Sequence, residues 1–472
     1  MKLIYGIKDK PKFSQVIVFA IQQLLAIMAA TLVVPVIIGH GMAPSAALFG
    51  AGVGTIVYLL FTKFRSPVFL GSSFAFLGSM AAAFAGGVSM ALGYLGLIIG
   101  AIFAGLVYVV IAIVVKFAGV NWINKLMPPV VIGPTVAIIG LSLAGNAIGD
   151  ITSGGVKAAV VSDAVTYVDG VATLGTQTSM VSVASPFVAL ACGLVTLAVV
   201  MLCSTFGKKM TKLIPFIIGI LAGYAVAAVF TVIGNAAGID ALKVVDFGAF
   251  RALVADGVQL STFISVPDFT FLTAFGAFGE LSGSYVATIA VAYLPVAFVV
   301  FAEHIADHKN ISSIIEKDLL EDPGLHRTLL GDGVGSMAGA FFGGCPNTTY
   351  GESVACVAIT GNASVVTIFT AAVGAMIISF LSPFVAFVNS IPACVMGGVC
   401  IALYGFIAVS GLKMLQKVDL EENKNLFTAS AILIAGIGGL TLSFGKITIT
   451  SIACALILGI LANIMLSGKA KD

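Results

Sequence analysis

Charge is what this sequence has least of. Only 9% of its 472 residues are charged, where a soluble domain carries roughly a quarter, so a soluble globular chain is excluded. A formal net charge of +2 offers no basic surface for nucleic acid, and none is expected as a partner. Cys192, Cys203, Cys345, Cys356, Cys394, Cys400 and Cys454 form an odd, scattered set in apolar runs. They make neither a disulfide framework nor a CxxC metal pair. Of the four histidines, His304 and His308 follow Glu303, but the order Glu-His-x-x-x-His is not the zincin arrangement and no third ligand stands out. No metal and no cofactor other than a coupling proton is expected. The basic N-terminus (Lys2, Lys8, Lys10, Lys12) precedes an apolar run too long for a signal-peptide core and without a cleavage site.

What the sequence does have is apolar length: 59% hydrophobic residues, 54 glycines and a mean hydropathy of +1.14. That composition reads as an all-α polytopic membrane protein. At about 20 residues per span, fourteen segments emerge, near 13–36, 44–61, 67–85, 91–115, 128–146, 186–206, 213–234, 284–303, 327–343, 346–361, 363–385, 391–411, 425–443 and 447–467. With the N-terminus inside, 19 of the 23 Lys and Arg residues fall in cytoplasmic segments. The outer four are Lys157, Lys243, Arg251 and Lys446. Adding or dropping one span would scramble that asymmetry, so both termini are expected in the cytoplasm. Two long outer loops, about 147–185 and 235–283, read as structured caps. The first carries a hairpin signal around Asp169–Gly170. On the inside, Ile311–Glu321 reads as a short amphipathic linker helix.

A faint internal repeat runs through the chain. Pro128 with Gly133 is echoed by Pro392 with Gly397, and Gly219–Ala222 by Gly459–Ala462. Gly71–Phe76 matches Pro346–Glu352 in rank. Seven spans per half is odd, so the second half must enter the membrane inverted. Interrupted segments at matching places in inverted halves point to a transporter's binding site. Spans three and ten accordingly read as short extended strands handing over to half-helices, whose N-termini carry free N–H groups and partial positive charge. Such backbone suits a small planar ligand with N–H and C=O groups on its edge.

Few carboxylates lie at membrane depth: Glu303 ends span eight and Glu352 opens span ten, while most other acids fall in loops. A carboxylate buried without a counter-ion can take up a proton near neutral pH, donating a hydrogen bond when protonated and accepting one when ionised. That is a basis for coupling substrate to proton entry. Asp307, one turn from Glu303, either shares that proton or faces solvent at a helix end. Tyr404 either closes over a ligand or packs. An intramembrane metalloprotease would need a ligand set that is not there. A channel would be told from a carrier by saturable, proton-dependent uptake.

At these residues the chain resembles the nucleobase–ascorbate transporter (nucleobase:cation symporter) family, on its bacterial uracil branch. The shared stretches are Leu70–Phe76, Ala302–His304, Lys317–Leu320, Asp322–Arg327, Pro346–Glu352 and Met396–Gly398. The resemblance implies fourteen spans as 7+7 inverted repeats. Spans 1–4 (residues 1–125) and 8–11 (284–385) would form a core domain, and spans 5–7 (126–235) and 12–14 (391–467) a gate domain. It also implies uracil:proton symport by alternating access in the bacterial cytoplasmic membrane and a homodimer among the lipids. Substrate would be held by Glu303, Glu352, Phe74, Gly351, Ala30 and Tyr404, with Glu303, Asp307 and His304 handling the proton. The family signature reads here Glu352–Ser353–Val354–Ala355, then Thr360–Gly361. Glutamate in first place favours uracil over the purine branch, whereas Ser353 and Ala355 depart from the usual Asn and Gly. A related permease would carry a histidine where this chain has Asp307. The alternatives are a purine (xanthine-type) permease or, disfavoured by the two carboxylates, an anion transporter of similar fold.

Overall fold

The computed structural model describes residues 3–119, 122, 126–168, 171–208, 210–416, 418–444 and 447–467. Short turns aside, the order is α1 (Phe13–Ile38), α2 (Pro44–Phe61), β1 (Leu70–Ser72), α3 (Leu77–Ala83), α4 (Met90–Ala118), α5 (Pro129–Ser142), α6 (Ala144–Ile151), β2 (Lys157–Val168), β3 (Val171–Ser182), α7 (Pro186–Phe206) and α8 (Pro215–Ala237). Then come α9 (Gly283–Ile315), α10 (Leu325–Gly343), β4 (Asn347–Thr349), α11 (Gly351–Thr360), α12 (Val365–Ile378), α13 (Ser382–Ser390), α14 (Ala393–Leu415), α15 (Asn423–Ile437), β5 (Leu442–Phe444), β6 (Ile447–Ile449) and α16 (Ser451–Leu466). Eight of the described helical segments are long and apolar enough to cross a membrane: α1, α2, α4, α5 with α6, α7, α8, α9 and α14. Large apolar side chains such as Phe187, Met201 and Phe206 on α7 point outward, which only a hydrocarbon surround makes tolerable.

The helices pack in two groups. In the first, α2 and α4 lie along α10, α4 touches α9, and α1 and α2 hold α12. In the second, α14 lies along α5 and α7, α8 packs on α7, and α15 joins α5 to α16. Hydrophobicity cannot drive helix association in lipid, so small residues that let backbones approach do so instead. Gly50 and Gly54 of α2 face Gly335 and Gly339 of α10, a GxxxG spacing on both helices. A Cβ on Gly54 would sit 2.7 Å from the Gly335 carbonyl oxygen. The second group has its own seam, where a Cβ on Gly133 would lie 2.9 Å from the Gly411 carbonyl.

Three expectations need correction. Residues Ile311–Glu321 are no separate linker helix, because α9 runs unbroken for 33 residues and stops at Glu316 in a left-handed conformation. Glu303 therefore sits within a helix and not at its end. The outer hairpin is far longer than the alternation around residues 165–174 suggests: β2 and β3 pair antiparallel from Lys157↔Ser182 to Val168↔Val171. Its turn, Asp169–Gly170, lies outside the described residues, as do Lys2, Lys125, Lys209, Lys417, Lys446, Lys469 and Lys471. Finally, the last two apolar stretches begin or end in an antiparallel pair, β5 with β6, so their helices are shorter than the runs themselves.

Candidate functional site

Two interrupted stretches meet at the centre of the molecule. β1 and β4 pair antiparallel, with Leu70 opposite Thr349, Gly71 opposite Thr348 and Ser72 opposite Asn347. The Ser73 N–H donates to the Pro346 carbonyl at 2.9 Å, extending the ladder. Each strand needs more support than three residues supply. The Leu70 N–H donates to Thr55 Oγ1 at 2.9 Å, and Asn347 Nδ2 reaches the Gly50 carbonyl at 3.0 Å. The glycine seam thus opens the space into which Asn347 reaches. Tyr350 donates its hydroxyl to the Ser72 carbonyl with its ring over Gly71, where any Cβ would collide with it. Beyond the strands the backbone turns helical at once, through a 3-10 turn at Phe74–Phe76 into α3 and at Gly351 into α11. Both half-helices begin with N–H groups that no preceding turn can satisfy.

These starts line a cavity of about 610 Å³. Glu303 and Asp307, on one face of α9, and Glu352, in the first turn of α11, line it together with Phe74, Thr349 and Gly351. Thr349 Oγ1 donates to Asp307 at 2.9 Å. Behind the cavity, Ser353 accepts from Gln23 Nε2 and from the Phe69 N–H, which ties α11 to α1 and to the approach of β1. The cavity wall also includes Ser204, Lys212, Ser410 and Lys413.

The expected residues are not all equally placed. Glu303, Asp307, Glu352, Phe74 and Gly351 come together around one space. Ala30 is buried at 2% exposure, and the α1 residue on the cavity is Ala26, one turn earlier. Tyr404 lies edge-on to Phe74, ring centroids 6.0 Å apart, so it braces a lining residue. His304 turns away from the cavity and is fully buried. Its Nδ1 lies 2.7 Å from Asp332 Oδ2 and its Nε2 2.9 Å from Thr328 Oγ1. His308 stacks on it at 4.0 Å and meets the Tyr58 hydroxyl at 2.7 Å. Most other acids are expected in loops; Asp332, which the sequence reading does not single out, is an exception, fully buried inside α10. The available signal was Gly331–Asp332–Gly333 within an otherwise apolar run, since a charge that deep needs a partner. Among the described residues no cluster of side chains could hold a metal ion.

A family profile described as a permease family matches residues 14–444. A uracil permease of Bacillus caldolyticus is 37% identical over all of this chain and 96% of its own length. That of Bacillus subtilis is 35% identical over 100% and 97%, and that of Escherichia coli K12 34% over 96% and 92%. Among solved structures, the transmembrane domain of the cyanobacterial bicarbonate transporter BicA covers 97% of this chain and 100% of its own at a TM-score of 0.61 and 13% identity. Murine Slc26a9, an anion transporter in its inward-facing state, covers 97% and 69% at 0.59 and 12%. At such identities the likeness is one of fold.

Proposed function

The chain belongs to the permease family matched over residues 14–444, it is a transporter and not an enzyme, and from that premise we propose that it imports uracil together with a proton by alternating access. The observation that carries this reading is the convergence of Glu303, Glu352 and two half-helix N-termini on one cavity. Uracil presents N–H donors and C=O acceptors along one edge. Glu352 accepts from a ring N–H, and the backbone N–H groups at Phe74 and Gly351 donate to ring carbonyls. Glu303 carries the proton, with Asp307 one turn away and fixed by Thr349. His304 acts from behind, through Asp332.

The wider architecture follows the same reading. Fourteen spans form two inverted sevens, interrupted at spans three and ten by β1 and β4. The helices around the GxxxG seam form the core and those around α14 the gate. The lysines that line the cavity support an opening on the cytoplasmic side, with both termini there too in this reading, in a bacterial inner-membrane homodimer.

In proteoliposomes, labelled uracil uptake should saturate, rise with an inward proton gradient, and be competed by pyrimidines more strongly than by purines or inorganic anions. Competition led by xanthine would transfer the reading to the purine branch; uptake indifferent to the gradient would remove proton coupling.

A further inference from the structure

The cavity has far more room than a single nucleobase fills: at about 610 Å³ it sits mid-range for pockets that enclose drug-sized ligands, roughly 300–1,000 Å³. Its wall also changes in exposure and in charge: Glu303 and Glu352 are partly buried, which marks the floor, and Lys212 and Lys413 are exposed, which marks the mouth. Both lysines are exposed, and among the described residues neither takes part in an ion pair. The same wall carries two hydroxyls, Ser204 and Ser410. The Ser204 oxygen is buried with no hydrogen-bond partner, an arrangement that costs free energy unless a ligand or water satisfies it.

Helix geometry sets the scale. Tyr404, against the floor residue Phe74, and Lys413 are nine residues apart on α14, about 13.5 Å at 1.5 Å per residue. A lysine's flexible four-carbon stem covers roughly half of that, leaving the length of a ribose.

We propose that this cavity also binds a pyrimidine nucleoside 5′-phosphate from the cytoplasmic side, with the base at Glu352, the ribose at Ser204 and the phosphate between Lys212 and Lys413. The inference rests on the nucleobase reading of the floor. A ligand so held occupies the path by which the free base leaves, and the phosphorylated product of the imported base would inhibit its own supply.

The test is displacement of labelled uracil from the solubilised protein at low salt by uridine and by uridine 5′-monophosphate. The monophosphate should displace about tenfold better than uridine, with the gap shrinking as salt rises. In K212Q/K413Q the gap should close to within about twofold while uracil affinity is retained, and K212R/K413R should restore it. A monophosphate no better than uridine, or a gap that survives in K212Q/K413Q, overturns the proposal. Absence of uracil binding by the unaltered protein would instead sink the underlying nucleobase reading.

Discussion

Glu352 sits two residues past Tyr350, the residue that caps α11, so its carboxylate lies where the helix N-terminus stabilises negative charge. The same turn brings free N–H groups to the cavity, so donors and an acceptor stand within one turn of chain. Replacing the carboxylate by an amide keeps its shape and substitutes a donor for one acceptor. Hydrogen bonds to charged groups contribute about 1.5–3 kcal/mol. Glu352→Gln should therefore weaken uracil binding by about tenfold to a hundredfold, read by equilibrium binding; unchanged affinity would remove Glu352 from the site. Glu303→Gln should leave counterflow exchange of uracil intact but abolish its dependence on an imposed proton gradient. His304 belongs to a different class of residue, because it is buried against Asp332 with neither side chain exposed. His304→Ala would leave that buried acid without its hydrogen-bond partner, a loss that costs about 1–3 kcal/mol. It should lower the melting temperature sharply, whereas a variant that melts normally would show the pair to be dispensable.

At the scale of elements, the short strands owe their position to helices they do not belong to. Asn347 reaches the Gly50 carbonyl across the seam of α2 and α10, and a Cβ on Gly54 would come within 2.6 Å of its Nδ2. Gly54→Val should destabilise the protein by about 1–3 kcal/mol through overpacking and weaken uracil binding as β4 shifts. Normal binding in a folded Gly54→Val protein would mean that the seam does not position the strand. The connection from α9 to α10 works by charge. Lys317 first, and Arg65 second, hold the Asp322 carboxyl down at about 2, below the roughly 3.9 of an unperturbed aspartate. A depressed folded value stabilises at every pH above the unfolded one and is lost only as pH falls through about 2. Between pH 5 and 8 this cluster is constant. Asp322→Asn should then leave the midpoint of the transport pH profile where it was, and a moved midpoint would implicate the connection in coupling.

At the scale of the whole molecule, the cavity wall is exposed where Lys212 and Lys413 stand. A second, smaller cavity of about 230 Å³ lies between Pro35 and Met42 on one side and Ile220 and Met396 on the other. It shares no lining residue with the site. If the large cavity is the proposed route, a reporter on its wall should feel sidedness. A Ser410→Cys protein should react with an impermeant thiol reagent added from the cytoplasmic face and be protected by uracil. Reaction only from the outer face would reverse the assigned orientation.

The sequence by itself determined the class, the two interrupted stretches that pair as β1 and β4, and the acids that line the candidate cavity. Apolar length, the side on which lysine falls, and breaks such as Gly71–Ser73 and Pro346–Glu352 are local facts, and lipid punishes each error in them. It did not determine what long-range packing sets. That Leu70 pairs with Thr349, that Ala26 and not Ala30 reaches the cavity, and that His304 turns inward to a buried Asp332 depend on partners dozens to hundreds of residues away. Gly50 and Gly54 are ordinary members of the chain's 54 glycines until α10 lies against them. A glycine's meaning is the backbone that approaches it, and only the folded chain supplies that neighbour.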